Sequence, residues 1–192
     1  MLTSERLERA LADTTPLRLD IPEFAAAAVL VPVITGSSEP TLLYTQRPQE
    51  MPTHAGQISF PGGRWEPTDA DARATALREA HEELGIEPSQ VQVLGELDDV
   101  ATPVGFVITP VVGWLGSLPE LKPDPREVDE YFEVSIDDLS DPAHFRDLGV
   151  REIAGKTYRT PEYRAADRLI WGATARITQR LLEVLELAGP QP

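Results

Sequence analysis

A chain of 192 residues with 41% hydrophobic and 26% charged residues is long enough for one sizeable core, and one domain over residues 1–192 is the expectation. Its net charge of −15 argues against nonspecific nucleic-acid binding, which needs a basic face, and most of its acids read as a solvated surface. It has no cysteine, which excludes disulfides, zinc-thiolate centres and thiol nucleophiles, and no apolar run of about 18 residues to span a membrane. The start, Met1-Leu2-Thr3-Ser4-Glu5-Arg6, lacks a basic region followed by an apolar one, so no signal peptide and a cytoplasmic location are expected.

Residues 4–12 read as a short amphipathic helix capped by Ser4, with Leu7, Ala10 and Leu11 on its apolar side. Residues 24–35 read as a buried strand in which Pro32 predicts an edge or a bulge. A turn over 36–40 leads to a partner strand over 41–47, giving a hairpin. Residues 57–60 form a short strand running into Pro61-Gly62-Gly63, and 71–84 a helix closed by Gly85. Strands follow over 91–97, 107–115 and 128–135, then a short turn at 137–139. Residues 116–126 and 148–162 read as loops or short hairpins. Leu169, Ala173, Ile177, Leu181, Val184 and Leu185 recur at helical spacing, which predicts one long final helix over 165–187. Helices around a mixed sheet give an α/β sandwich, and no internal repeat is visible.

The segment Arg78-Glu79-Ala80-His81-Glu82-Glu83-Leu84-Gly85-Ile86, preceded by Phe60-Pro61-Gly62-Gly63, carries the most chemistry. On a helix, Glu79, Glu82 and Glu83 project to one side over about one turn. Like charges so placed repel, and a solvated helix face is the ordinary explanation of such a run. A hard divalent cation, Mg²⁺ or Mn²⁺, would also explain it, because such ions take oxygen ligands and share sites with substrate phosphates. His81 falls on another face and reads as surface.

Gly63-x5-Asp69-x8-Arg78-Glu79-Ala80-x-Glu82-Glu83-x-Gly85-Ile86 resembles the Nudix box, Gly-x5-Glu-x7-Arg-Glu-U-x-Glu-Glu-x-Gly-U with U a bulky aliphatic. The chain departs from it by Asp69 in place of the first Glu, by one extra residue before Arg78, and by the small Ala80 at a U position. The resemblance implies a Nudix-type α/β/α sandwich with a mixed sheet. It implies Glu79 and Glu83 as direct metal ligands, Glu82 as ligand of a second metal or orienter of water, and the Gly63 carbonyl as a further ligand. Arg78 would hold the glutamates by charge-assisted pairing. Asp69 stands between helix N-cap and remnant of the box.

Upstream, Leu42-Leu43-Tyr44-Thr45-Gln46-Arg47 and Pro52-Thr53-His54-Ala55-Gly56-Gln57-Ile58-Ser59-Phe60-Pro61-Gly62-Gly63 resemble the motif of the coenzyme A pyrophosphatase branch of that family, Leu-Leu-Thr-x-Arg-Ser-x3-Arg-x3-Gly-x3-Phe-Pro-Gly-Gly. Arg47, Gly56 and the stretch from Phe60 to Gly63 are in register, while Pro48 and Pro52 replace a Ser and the second Arg. Thr102-Pro103-Val104-Gly105-Phe106 and Ile170-Trp171-Gly172-Ala173-Thr174 also look like that branch, so the resemblance covers most of residues 25–185. It implies metal-dependent hydrolysis of coenzyme A (CoA) or acyl-CoA to 3′,5′-ADP and (acyl-)4′-phosphopantetheine. Arg47, Gly62 and Gly63 would bind substrate, since a planar guanidinium suits phosphates. His54 either binds phosphate or caps a loop. Glu127 is a distal ligand or general base, or a surface acid. Trp65 and Phe106 stack on adenine or, more in keeping with their type, pack in the interior. The rivals are another nucleoside diphosphate derivative, such as ADP-ribose or NADH, and a Nudix-like module that binds a nucleotide without cleaving it. The expected partner is a small molecule, with neither nucleic acid nor membrane; a homodimer is left open.

Overall fold

The computed structural model describes residues 2–36, 39–50, 55–153 and 156–187. Strand β1 (Ala25–Ile34) is central to the main sheet and apolar on both faces. Its alternate residues divide between two cores: Ala28, Leu30 and Ile34 enter one, Val31 and Val33 the other. β1 runs parallel to β7 (Phe106–Leu115) along its whole length. On its other side it is antiparallel first to β4 (Gly62–Arg64), then to β2 (Thr41–Gln46). With β3 (Ile58–Ser59) and β5 (Gln92–Glu96) the order is β3-β2-β1-β7-β5. β6 (Val100–Ala101) pairs with β7 and β8 (Glu130–Ser135) with β2.

Pro32 is thus not on an edge strand. The β4 pairing ends at Val29 and the β2 pairing begins at Val33. The amide of Leu30 points to that side, donating to Pro61 O at 2.9 Å. Pro32, two residues on, turns its nitrogen the same way, into the gap between the two partner strands, where no ladder bond is lost.

Helix α2 (Ala72–Leu84) covers one face through Ala76, Ala80 and Leu84, packed with Ala28, Leu30, Leu43 and Val111. Alanines on both sides let the helix approach the sheet closely. Asp71 caps it, accepting from the Ala74 amide at 2.9 Å, and Gly85 ends it in the left-handed region at φ 70°. The opposite face is covered by α1 (Ser4–Ala12) and α4 (Gly172–Leu187), packed with Leu42, Tyr44 and Val112. Thr3, not Ser4, caps α1 by accepting from the Arg6 amide at 3.3 Å.

A second, three-stranded sheet packs under α4: β9 (Phe145–Ile153), β10 (Lys156–Ala165) and β11 (Arg168–Trp171). The long final helix predicted from residue 165 therefore starts only at Gly172. Residues 165–171 turn through Ala166 and Asp167, both at positive φ, and return as β11 with Ile170 inward and Leu169 and Trp171 exposed. Of the loop or short hairpin predicted for 148–162, the structure shows the hairpin, most of β9–β10. The turn predicted at 137–139 is a short helix, α3 (Ile136–Ser140).

Candidate active site

Strand β2 ends in the motif segment, and its Tyr44 stacks on Phe60 with ring centroids 4.7 Å apart. That stack anchors the path from β3 into Pro61-Gly62-Gly63. Gly63 lies opposite Ala28 and Gly62 opposite Val29. Gly62 must be glycine because backbone stands in the way of a Cβ, whereas a Cβ on Gly63 would displace the end of the Glu79 side chain. A Cβ on Gly62 would fall 2.4 Å from the Ala28 carbonyl oxygen, and one on Gly63 only 2.4 Å from Glu79 Oε1. The Glu79 carboxylate therefore lies directly on the Gly63 backbone.

Arg78 is the hub that orders the acids. Its Nε and Nη2 each donate to Asp69 at 3.0 Å, a two-pronged pair, and Nη2 also donates to Arg64 O at 2.9 Å. Nη1 donates to Glu79 at 2.9 Å and Glu82 at 3.1 Å. Asp69 is buried and also accepts from Thr75 Oγ1 at 2.9 Å and the Glu66 amide at 3.0 Å. The Arg78 guanidinium, helped by these donors, holds the Asp69 carboxyl down at about 2. Pairing with Asp69 in turn strengthens the hold of Arg78 on its proton. The alternative left open for Asp69 is thereby decided by geometry: Asp71 caps the helix, and Asp69 reaches nine residues forward to fix Arg78.

The three glutamates differ in surroundings. The Glu82 side chain is 54% exposed. Glu79 is half-buried, and burial pushes its carboxyl up, opposed by Arg78 and reinforced by Glu82 and Glu127. Glu83 is 4% exposed. Burial pushes its carboxyl up to about 8; Arg47 opposes the shift, Glu127 and Glu79 add to it, and a bond from the Gly62 amide opposes it. Arg47, Glu79, Glu83, Glu127 and Gly62 thus share one electrostatic neighbourhood.

Glu127 reaches it through contacts far apart in sequence. Lys122 N donates to Leu84 O at 2.8 Å and Asp124 N to Glu83 O at 2.9 Å, so the chain satisfies the orphan carbonyls at the end of α2. Asp124 then accepts the Glu127 amide at 3.0 Å, and its side chain pairs with Arg126 at 2.5 Å. Asp129 N bonds Gln46 O at 2.9 Å, closing the strap onto the end of β2. Asp124 and Arg126 were not among the expected site residues; their one local signal is a turn-forming Asp two residues before an Arg. His54 lies outside the described residues, as does Pro52. His81 is exposed, 3.6 Å from Glu87. Trp65, expected inside, is 47% exposed and donates its Nε1 to Asp69 O at 3.2 Å. Phe106 is half-buried, with Arg64 over its ring.

Among the described residues, no three acidic or histidine side chains are already gathered as closely as a metal ion requires. The donor set nevertheless fits a hard divalent cation. It consists of carboxylates, all oxygen, and includes a buried carboxyl raised by its acidic neighbours, whose ionised form a cation would stabilise.

Residues 24–152 match the NUDIX domain. The chain belongs to the Nudix family. It is 40% identical over 161 residues to an uncharacterized Nudix hydrolase NudL of Photorhabdus laumondii, covering 84% of this chain and 85% of that one. It is 37% identical over 191 residues to the mitochondrial coenzyme A diphosphatase NUDT8 of Mus musculus, covering 98% and 90%. In fold it resembles a Nudix hydrolase from M. smegmatis, RenU, with a TM-score of 0.54 at 20% identity, covering 88% and 89%. A MutT/nudix family protein from Enterococcus faecalis gives 0.55 at 12% identity, covering 97% and 74%. This Nudix hydrolase is a pyrophosphohydrolase of small nucleotide-like molecules, of a family that works with divalent cations. No helix among its described residues is long and apolar enough to cross a membrane.

Proposed function

We propose that this Nudix hydrolase cleaves the diphosphate of CoA or acyl-CoA, with Mg²⁺ or Mn²⁺, to 3′,5′-ADP and (acyl-)4′-phosphopantetheine. The observation that carries the proposal is Arg47 set against the buried Glu83, beside Gly62, Glu79 and Glu127. A guanidinium that acts on the acids in this way supports a diphosphate contact beside a cation they would hold. The likeness of 37% to a CoA diphosphatase over nearly the whole chain supports the same substrate.

In this proposal Glu79 and Glu83 would hold the cation, and Glu82, the most exposed of the three, would hold a second or orient water; the Gly63 carbonyl expected beside them is turned toward Ala28 in the β1 ladder. When bound, the cation neutralises diphosphate charge and makes an attacking water more acidic. Arg78, locked by Asp69, keeps Glu79 and Glu82 in place. Arg47 grips the diphosphate with two donors, assisted by Gly62 and, outside the described residues, by His54. Glu127, held by its strap, takes the proton from water as the oxygen attacks phosphorus. The bridging P–O bond breaks and its oxygen leaves on the second phosphate. A single domain, a cytoplasmic location and a homodimer complete the proposal. Bacterial relatives support the compartment, and exposed Leu148, Val150, Leu169 and Trp171 offer a surface for a second copy.

The test is product release from a panel of CoA, acetyl-CoA, ADP-ribose, NADH and dinucleoside polyphosphates with each metal. Highest kcat/KM on CoA or acetyl-CoA supports the proposal. Preference for ADP-ribose or NADH overturns the substrate, and metal-dependent binding without turnover overturns the catalysis.

A further inference from the structure

On the sheet face opposite α2, two arginines stand without an acidic partner among the described residues, in a chain of net charge −15. Arg64, at the end of β4, lies opposite Ala27; Ala27 lies opposite Ile108, and Ile108 opposite Val100. Directly paired residues share a face, so these four form a row across the sheet. Val100 and Ile108 pack in the core under α4, which fixes the face.

The Arg64 side chain is exposed and leans along this face, its guanidinium carbon 4.8 Å from the Phe106 ring centroid. A guanidinium stacked this way is held in orientation while its in-plane N–H donors stay free. Arg176 descends from α4 onto the same face and donates Nη1 to Ala101 O at 2.9 Å. Ala101 pairs with Val107, beside Phe106. The turn at residues 102–105, which joins Ala101 to Phe106, is pinned by Thr102 N to Phe106 O at 2.8 Å and by Phe106 N to Thr102 Oγ1 at 3.0 Å. Arg176 is half-buried, and burial weakens its hold on its proton. A neutral donor would satisfy the Ala101 carbonyl without the cost of a desolvated charge. An anion would offset that cost.

This face lies close to the glutamates. Among the described residues β4 pairs only with β1, and Arg78 Nη2 donates to Arg64 O at 2.9 Å on its other side. Gly63, on which the Glu79 carboxylate lies, immediately precedes Arg64.

We propose that Arg64 and Arg176 form a subsite for a phosphomonoester dianion, the separate phosphate of a nucleoside bisphosphate such as the 3′-phosphate of CoA. The choice of CoA rests on the function proposed above; the anion subsite does not. The test measures binding of 3′,5′-ADP and of 5′-AMP by calorimetry to the full chain, to Arg64→Gln and to Arg176→Gln, beside the ratio of kcat/KM for CoA over dephospho-CoA. One lost charge-assisted bond corresponds to about tenfold or more. The wild type is expected to prefer 3′,5′-ADP by at least about that factor, and each variant to lose most of the preference and of the kcat/KM ratio. An equal affinity of the wild type for both nucleotides overturns the subsite, as does a preference that survives in both variants. If Arg176→Gln fails to fold, exposed Arg64→Gln decides. A wild type that prefers the bisphosphate but does not hydrolyse CoA refutes the substrate and leaves the subsite standing.

Discussion

The two faces of the main sheet treat polarity in opposite ways. Under α4, the core is broad and apolar, and its buried hydroxyls are paired, as in Tyr44 Oη with Thr178 Oγ1 at 3.0 Å. Under α2 the core is smaller and rich in alanine, and it ends in a buried, raised carboxyl beside three other acids and two arginines. One face accumulates stability; the other holds an arrangement that folding alone would not favour. Like charges are brought together there and retained because Arg78 and Asp69 fix them. Changes on the two faces should therefore separate stability from activity.

The sharpest separation is expected from Glu83→Gln, which keeps shape and removes charge. If Glu83 holds the cation, kcat falls by about 10³-fold or more, because several kcal/mol of charge stabilisation go with it. Stability without metal holds or rises, since a costly buried acid is gone. Wild-type turnover by this variant would merge the two faces again. Leu181→Ala on the other face is expected to do the reverse. Leu181 is fully buried, so truncation costs about 2–5 kcal/mol in urea unfolding. The folded fraction should keep its KM and kcat.

The same contrast appears against pH in chelator. Glu83 is raised to about 8 when folded, from roughly 4.3 when unfolded. Between these values the folded chain holds the extra proton, so stability falls as pH rises through the window. Asp69 has the opposite sign: lowered to about 2, its contribution is complete above roughly 4 and is lost as pH falls toward 2. Melting temperature in chelator should decline from pH 5 to 8 in the wild type and flatten in Glu83→Gln. An equal decline in both would show that Glu83 is not the group responsible.

What the sequence made legible follows the same division. Helix α2 was readable because its signals are local: glutamates one turn apart and Gly85 at a position needing positive φ, though its cap is Asp71 and not the Asp69 that the sequence offered. The sheet of β9, β10 and β11 was less so, a short hairpin over 148–162 being only one of two readings. Its inward Phe145, Tyr163 and Ile170 alternate with outward arginines and exposed apolar residues, so the strand period is masked, while Leu169 happens to continue the helical spacing of α4. Glu127 entered only through family resemblance. Its approach to Glu83 depends on a strap closed onto α2 and β2, contacts that no local pattern encodes. Asp69 was ambiguous for the same reason, its partner being nine residues away.

The smallest effect is expected at Arg47. Lysine keeps the charge but loses the two-pronged geometry, so Arg47→Lys should raise KM for CoA by several-fold, and Arg47→Ala further, with little change in melting temperature. Ready unfolding of both variants, with normal KM in what survives, would move Arg47 from the active face to the scaffold.

The central claim is that the acids under α2 form a divalent-cation site. Calorimetric titration of Mn²⁺ into the wild type and into Glu83→Gln, at one pH and without nucleotide, tests it most directly. The account predicts a saturable site in the wild type that is weakened at least about tenfold in the variant, while the variant melts no lower than the wild type without metal. Equal Mn²⁺ affinity in the two proteins would contradict it.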